Sequence, residues 1–393
     1  MRILLAAKMM SVGGLERIVV GLARELSARH HQVWVVSSGG DLVGDLERFG
    51  AHHVQVPLEI TSPVGVAQSA RQIRRLIVQQ RIDLVHSFSA TASVAINLAT
   101  RVPGSARDSS SGKVRVVSSP MGLQNSPREL GVTTWLRNWL LTLGAEQILV
   151  ISPEIRRHMK GVGAPETLLV DFNFVGLDMA GFVGQPEDGL AVRREFGFAD
   201  SAPIVSTIGA LHPRKSHELF LDAAALVARE VPEARYLIIG EGDLLPDLQE
   251  YARGKDNVAE RVVFTGVRDD VARLLAATDV YVKPGVLEGF IGITVLEALA
   301  LGKPVVAFDT EDVKLALSDG QTGYIVPRGD VPALAERITY LLRHPEIGAQ
   351  LGQAGQQLVL ERFDFGVLAS RLEDFYQQIV DRPYAVGAGS SRR

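Results

Sequence analysis

The stretch KPGVLEGFIGITVLEALALGKPVVAFD, residues 283–309, decides how the second half of the chain folds. An apolar run, Val280–Lys283, stops at Pro284, which has no N–H to continue a sheet ladder. A Gly-rich loop carrying Glu288 follows. A helix is expected from near Thr294 with Glu297 in its first turn, and a second apolar run, Pro304–Phe308, closes the unit. Two short apolar runs joined through a helix make a βαβ unit, so the sheet should be parallel. Gly289 and Gly292 let the backbone approach a ligand closely, and the helix start presents N–H groups and partial positive charge. A diphosphate sugar suits that end, with one carboxylate taking hydrogen bonds from sugar hydroxyls and the other from a ribose diol. A second reading needs no ligand: Thr294-x-x-Glu297 is a capping box and Glu288 a solvated loop acid.

The same alternation extends in both directions. Before residue 180, Arg2–Ala7, Val33–Ser37, Ile82–His86 and Val114–Ser118 read as strands. A Gly13-Gly14 turn precedes a helix with Leu15, Ile18, Val19, Leu22 and Leu26 on one face, and Ala67–Gln80 is helical. GSARDSSSGK, residues 104–113, reads as a mobile loop. After residue 180, strands are expected at Pro203–Gly209, Tyr236–Gly240, Val262–Gly266, Val280–Lys283, Pro304–Phe308 and Gly323–Val326. Helices fall at Ser216–Arg229 and Leu244–Arg253, with a last long helix around Val367–Val380. FVGQPEDG, from residue 182, breaks both periodicities and marks the domain boundary. The fold class is α/β, two Rossmann-like parallel-sheet domains, with ligands expected outside the carboxyl ends of the strands.

Composition fits a globular two-domain protein: 393 residues, 46% hydrophobic and 22% charged. The net charge of −4, from 41 basic and 45 acidic residues, gives no reason to expect nucleic acid as a partner. The absence of cysteine excludes disulfides, thiolate metal sites and cysteine nucleophiles. The opening MRILLAAKMMSVGG is too short, and too interrupted by Lys8, for a secretory signal. No run approaches the roughly 20 apolar residues of a membrane helix. The expected location is cytoplasmic, with peripheral contact at the inner membrane face left open. GVTTWLRNWLLTLG carries Trp135, Leu136, Trp139, Leu140 and Leu143, a stripe that suits a core-facing helix or a membrane interface.

Residues 283–309 resemble the E-x7-E signature region of glycosyltransferase family 4, also called the glycosyl transferases group 1. The residues that carry this are Pro284, Glu288, Gly289, Phe290, Gly292, Leu296, Glu297, Ala298, Ala300, Gly302, Pro304, Val305 and Val306. Eight residues separate Glu288 from Glu297 instead of seven, and Ile291 is the extra one. VSTIGALHPRKSHELFLDAAALV, residues 205–227, resembles the segment bearing the family's donor-phosphate cations. Lys215 stands at the usual Lys position, Arg214 takes the guanidinium role, and Gly209 lies in the loop. YLIIGEGD (236–243), RVVFTGVRDDVARLLAATDVYVKPG (261–285) and TGYIVPRGD (322–330) resemble the rest of that domain, with the backbone at Val267 holding the base. Gly13, Gly14, Leu15 and Glu16 resemble the family's first loop. In the N-terminal half DLVHSFSATAS has Phe88, SSPMGLQNS has Met121, and FVGLDMAGF has Val175 where relatives carry His, His and Asn.

The resemblance implies the GT-B fold. It implies an acceptor-side domain over 1–184, a nucleotide-sugar-binding domain over 185–365, a helix over 366–383 packing back towards the N-terminal domain, and a disordered tail over 384–393. It implies a retaining transfer from a UDP- or GDP-sugar to a lipid, polysaccharide or small-molecule acceptor, without a metal or other cofactor. Catalytic roles fall to Glu288, Arg214, Lys215 and His86. The donor would be bound by Gly13, Gly14, Gly209, Arg214, Lys215, Val267, Glu288, Gly289, Phe290, Ile291, Gly292, Ile293, Thr294 and Glu297. His86 also reads as a satisfied core histidine, and Asp269-Asp270 as a helix cap instead of a metal motif. Three rival readings compete with this one. A dehydrogenase lacks its G-x-G-x-x-G after the first strand. A nucleotide-sugar 2-epimerase would share the architecture, and a donor-binding scaffold without turnover would suit Ile291, Phe88 and Met121.

Overall fold

The computed structural model describes residues 1–11, 13–59, 62–101, 114–119, 142, 144–173, 175–179, 186–286 and 292–383. The chain divides into two compact units. Unit 1 comprises Met1–Ile151, Ile155–Phe174 and Gly366–Arg393, and unit 2 comprises Ser152–Glu154 and Val175–Phe365. The division falls about ten residues before the periodicity break at FVGQPEDG, because the bridge Leu177 to Asp364 already ties residues past 174 into unit 2.

In unit 1, strands β1 (Arg2–Ala6), β2 (Gln32–Ser37), β3 (His52–Gln55), β4 (Leu84–Ser87), β5 (Arg115–Ser118), β6 (Gln147–Val150) and β7 (Leu169–Asp171) form one sheet. Their order is β3-β2-β1-β4-β5-β6-β7, and every pairing is parallel. β1, β4 and β5 are buried along nearly their whole length because helices cover both faces of such a sheet. Three strands escape the reading of apolar runs. β3 is a polar edge strand, HHVQ, half exposed along its length. β6, of four residues, and β7, of three, are the other two. The helix Phe365–Asp381 follows unit 2 in sequence but belongs to unit 1. Glu373 meets His31 at 2.9 Å, Arg29 donates to the carbonyl of Gly366 at 2.8 Å, and Phe375 packs on Phe172 with ring centroids 5.8 Å apart.

In unit 2, strands β8 (Ile204–Ile208), β9 (Arg235–Ile239), β10 (Val262–Phe264), β11 (Val280–Lys283), β12 (Val305–Phe308) and β13 (Tyr324–Val326) run in the order β10-β9-β8-β11-β12-β13, again all parallel. Alternate residues pack on opposite faces. Val205, Tyr236 and Ile238 join the core beneath the helices His217–Glu230 and Val331–Arg343, while Ile204, Leu237 and Ile239 meet Leu274 and Ala277 on the other side. Among the described residues no helix is long and apolar enough to cross a membrane. The loop 104–113, the Trp135–Trp139 stripe, Met121 and Gly122, and the tail from 384 lie outside the described residues.

Candidate active site

Strand order reverses in unit 2 between β8 and β11, which pair through Val280 to Val205 and Tyr281 to Ser206. Loops leave these two strands towards opposite edges, and the crevice left at their carboxyl ends is where parallel sheets take ligands. It is lined by Thr207, Ile208, Lys215, His217, Tyr281, Lys283, Pro284, Gly285 and Thr294.

The loop after β8 aims Lys215 into this crevice. Residues Pro213–Lys215 form one tight turn, in which the Lys215 N–H donates to the His212 carbonyl at 2.9 Å. Ser216 then sits at φ 53, ψ 45, a left-handed conformation that a non-glycine residue holds only at a cost of roughly 1–3 kcal/mol. The stem of Lys215 lies over the Gly209 backbone, where an added Cβ would stand 3.3 Å from its Cε. Gly209 and Lys215 are therefore one device, a bare backbone under a lysine. Gly209 itself is pressed against the next loop. An added Cβ on Gly240 would come within 2.1 Å of the Gly209 carbonyl oxygen. Arg214 lies half-buried on the same turn, its N–H directed at His212 Nδ1 at 3.4 Å.

On the other wall, the helix Ile293–Ala300 starts at Gly292, in extended conformation, an N-cap residue with no side chain of its own to cap the helix. The expected capping box is not formed. The Thr294 hydroxyl instead receives the Tyr281 hydroxyl at 2.8 Å, and Glu297, five residues into the helix, is 5% exposed. Ile293 and Thr294 thus frame the helix start at the crevice, with Glu297 buried behind them. Glu288, Gly289, Phe290 and Ile291 lie outside the described residues. Val267 is exposed at the carboxyl end of β10, just after Gly266, whose carbonyl accepts from the Gly240 N–H at 3.0 Å. Gly13 and Gly14 belong to unit 1, as the N-cap and first residue of the helix Gly14–Ala28 that follows β1. Sequence reasoning missed Thr207, Tyr281, His217 and Lys283. The last two carried a signal, each an ionisable residue at the edge of an apolar run.

Two expectations are corrected. His86 is a core residue, fully buried, not a group that a substrate meets. Its Nδ1 lies 2.5 Å from the Tyr376 hydroxyl, its Nε2 2.6 Å from Ser119 Oγ, and its ring against Phe88. A neutral imidazole offers one donor and one acceptor, which these two hydroxyls satisfy. Burial pushes its pKa down to about 3. The unfolded chain binds this proton below about 6.5 and the folded chain does not, so stability should fall as pH drops from 6.5 towards 3. The expected slope is about 1.4 kcal/mol per pH unit for this residue, and denaturant unfolding of wild type and His86→Gln between pH 7 and 5 should show it reduced in the variant. Asp270 is the second correction. It precedes the helix Val271–Ala277 but its side chain makes no cap. Instead Arg268 donates to it at 2.7 Å and Arg273 at 3.0 Å, and the hydrogen bonds from Arg268 hold its carboxyl down at about 2. Among the described residues no cluster of three or more His, Asp or Glu is placed to hold a metal ion.

Known proteins resemble this chain in sequence and in fold. The family described as "Glycosyltransferase Family 4" matches residues 12–174, and that described as "Glycosyl transferases group 1" matches residues 202–344. A GDP-mannose-dependent alpha-(1-6)-phosphatidylinositol monomannoside mannosyltransferase of Mycolicibacterium smegmatis is 29% identical over 339 residues, 83% of this chain and 84% of its own. An N-acetyl-alpha-D-glucosaminyl L-malate synthase of Bacillus anthracis is 23% identical over 380 residues, 94% of this chain and 95% of its own. Among solved structures, Anabaena Alr3699/HepE in complex with UDP-glucose superposes with a TM-score of 0.78 at 19% identity, covering 96% of this chain and 100% of that one. Matches over both halves, and a fold of two parallel Rossmann-like units shared with GT-B enzymes, place the chain in the group 1, family 4 glycosyltransferases.

Proposed function

We propose that this glycosyltransferase moves a sugar from a UDP- or GDP-sugar to an acceptor hydroxyl with retention at C1 and without a metal ion, unit 2 binding the donor and unit 1 carrying the acceptor side. The observation that carries the reading is the switch-point crevice of unit 2, where Lys215, seated over Gly209, shares the lining with Thr294 at the start of the helix Ile293–Ala300. Cationic and dipolar groups arranged around one space suit the diphosphate of a leaving nucleotide. The named relatives that use GDP-mannose or bind UDP-glucose support the same ligand class.

In the proposed step the acceptor oxygen attacks C1 from the leaving group's side. The bond from C1 to the phosphate oxygen breaks as the bond to the acceptor oxygen forms, and the acceptor proton passes to a donor phosphate oxygen. The nucleoside diphosphate leaves with its negative charge facing Lys215, Arg214 and the helix start at Gly292–Thr294. No protein base is required, which accords with a buried His86. Glu288 and Glu297 are assigned to sugar and ribose hydroxyls.

A thermal-shift panel of UDP- and GDP-sugars, with and without EDTA, tests this reading. One donor should raise the melting temperature equally in both conditions. NMR of the product should then show the anomeric configuration of the donor. A stabilisation abolished by EDTA, or an inverted product, would remove the metal-independent or the retaining half of the proposal. Silence across the panel would sink it.

A further inference from the structure

A second lysine in the crevice has no part in the step above. Lys283 ends β11, after Val280, Tyr281 and Val282, and lines the same space as Lys215. Its side chain is 5% exposed, and its Nζ lies 3.1 Å from Oδ2 of Asp312, which is 1% exposed. Asp312 does not line the crevice, so the carboxylate backs the ammonium from the protein side. Removing both charges from water costs several kcal/mol per ion, and apolar residues of similar volume commonly serve stability equally well or better. The strand gives no structural reason for the charge either, since its three preceding residues are apolar or aromatic and fully buried. What distinguishes position 283 is its place, at the carboxyl end of the strand that borders the switch point.

A compact ammonium with three donors can hold one carboxylate and serve a second anion. Asp312 fixes such a lysine in direction, and among the described residues the ionisable groups lining the crevice are Lys215, His217 and Lys283. These described lining groups suit an anionic group.

We propose that Lys283 is a third cationic contact of the donor site, recognising the diphosphate beside Arg214 and Lys215, and that Asp312 is the residue positioning it. This rests on the nucleotide-sugar reading above and assigns one more residue to it.

Calorimetric titration with UDP, GDP, UMP and GMP tests the assignment on wild type, Lys215→Ala and the charge-free double variant Lys283→Met/Asp312→Asn. Removing both charges avoids stranding either one, and Lys283→Met/Asp312→Leu replaces it should the first melt as a non-native species. Wild type should bind one nucleoside diphosphate at least about tenfold more tightly than its monophosphate. The double variant should lose about tenfold of the diphosphate affinity while its monophosphate affinity stays within about twofold. A folded double variant with unchanged diphosphate affinity, while Lys215→Ala still weakens it, would make the pair structural and leave the donor reading intact. An equal loss for mono- and diphosphate would overturn the diphosphate role. No binding by wild type, or equal wild-type affinity for the two nucleotides, would overturn it whatever the variants do, and the former would remove the donor reading too.

Discussion

Lys215→Ala should lower kcat/KM for the donor by about 10²- to 10³-fold, the loss typical when one preorganised group facing developing charge is removed. Negative charge accumulates on the nucleoside diphosphate as its bond to C1 breaks, and a fixed cation stabilises that charge without reorganising. The stem of Lys215 is directed by its seat over Gly209 and by the left-handed Ser216 that follows it, so its direction is set before the donor arrives. Because the side chain is only half-buried, the same substitution should change stability by no more than about 0.5 kcal/mol. The measurement is steady-state transfer with the donor found by thermal shift, alongside a melting curve. A variant that melts like wild type and turns over at the wild-type rate would remove Lys215 from the mechanism.

Gly240→Ala should be among the most damaging single substitutions in unit 2, although residue 240 carries no chemistry. Its φ of +136 lies in a region essentially restricted to glycine, and its added Cβ would approach the Gly209 carbonyl oxygen to 2.1 Å. Backbone atoms on both sides leave little to give way. Conformational strain and overpacking together should cost about 2–6 kcal/mol. For a domain of this size that corresponds to a fall of roughly 5–20 °C in the melting temperature. Gly320 is the control: it also has positive φ, +70, but nothing lies within 4 Å of its added Cβ. Gly320→Ala should cost only the conformational part, about 1–2 kcal/mol. If Gly240→Ala melts no lower than Gly320→Ala, the close approach of the two loops is not a feature of the protein in solution. A relaxed Gly240→Ala should also shift the Gly209 backbone and so misdirect Lys215, lowering transfer further than its stability alone requires.

The fold was legible because its central strands are apolar runs bounded by Gly or Pro. β1, β8, β9, β11 and β12 were readable within one or two residues, since buried parallel strands have no polar face to blur the pattern. β3, polar at the sheet edge, was not, and neither were β6 and β7. At the candidate site, Gly209 and Lys215 were named through the family resemblance, and their relation in the structure, a stem lying on a bare backbone, is a matter of distance that a motif does not encode. His86 read equally as site or core because a strand-end histidine looks the same in both roles. Its partner Tyr376 lies 290 residues away in sequence. Thr294-x-x-Glu297 matches a capping box in letters, but the helix begins two residues too early to use it as one. Lys283 was passed over as the polar end of a strand, since its partner Asp312 lies on a separate turn beyond β12.

The membership of the helix Phe365–Asp381 in unit 1 bears on how the chain is made. A ribosome delivers β1 to β7 first, yet His86, Phe172 and His31 wait for Tyr376, Phe375 and Glu373, which emerge last. Unit 2, by contrast, is contiguous apart from Ser152–Glu154 and has nearly all its partners once residue 365 is out. The half synthesised first is thus the half completed last, and nascent unit 1 carries an unfilled apolar seat throughout the translation of unit 2. The chain's own final helix acts as the latch that ends this exposure. The same order makes the isolated N-terminal half an unfinished object, whatever its boundary is chosen to be.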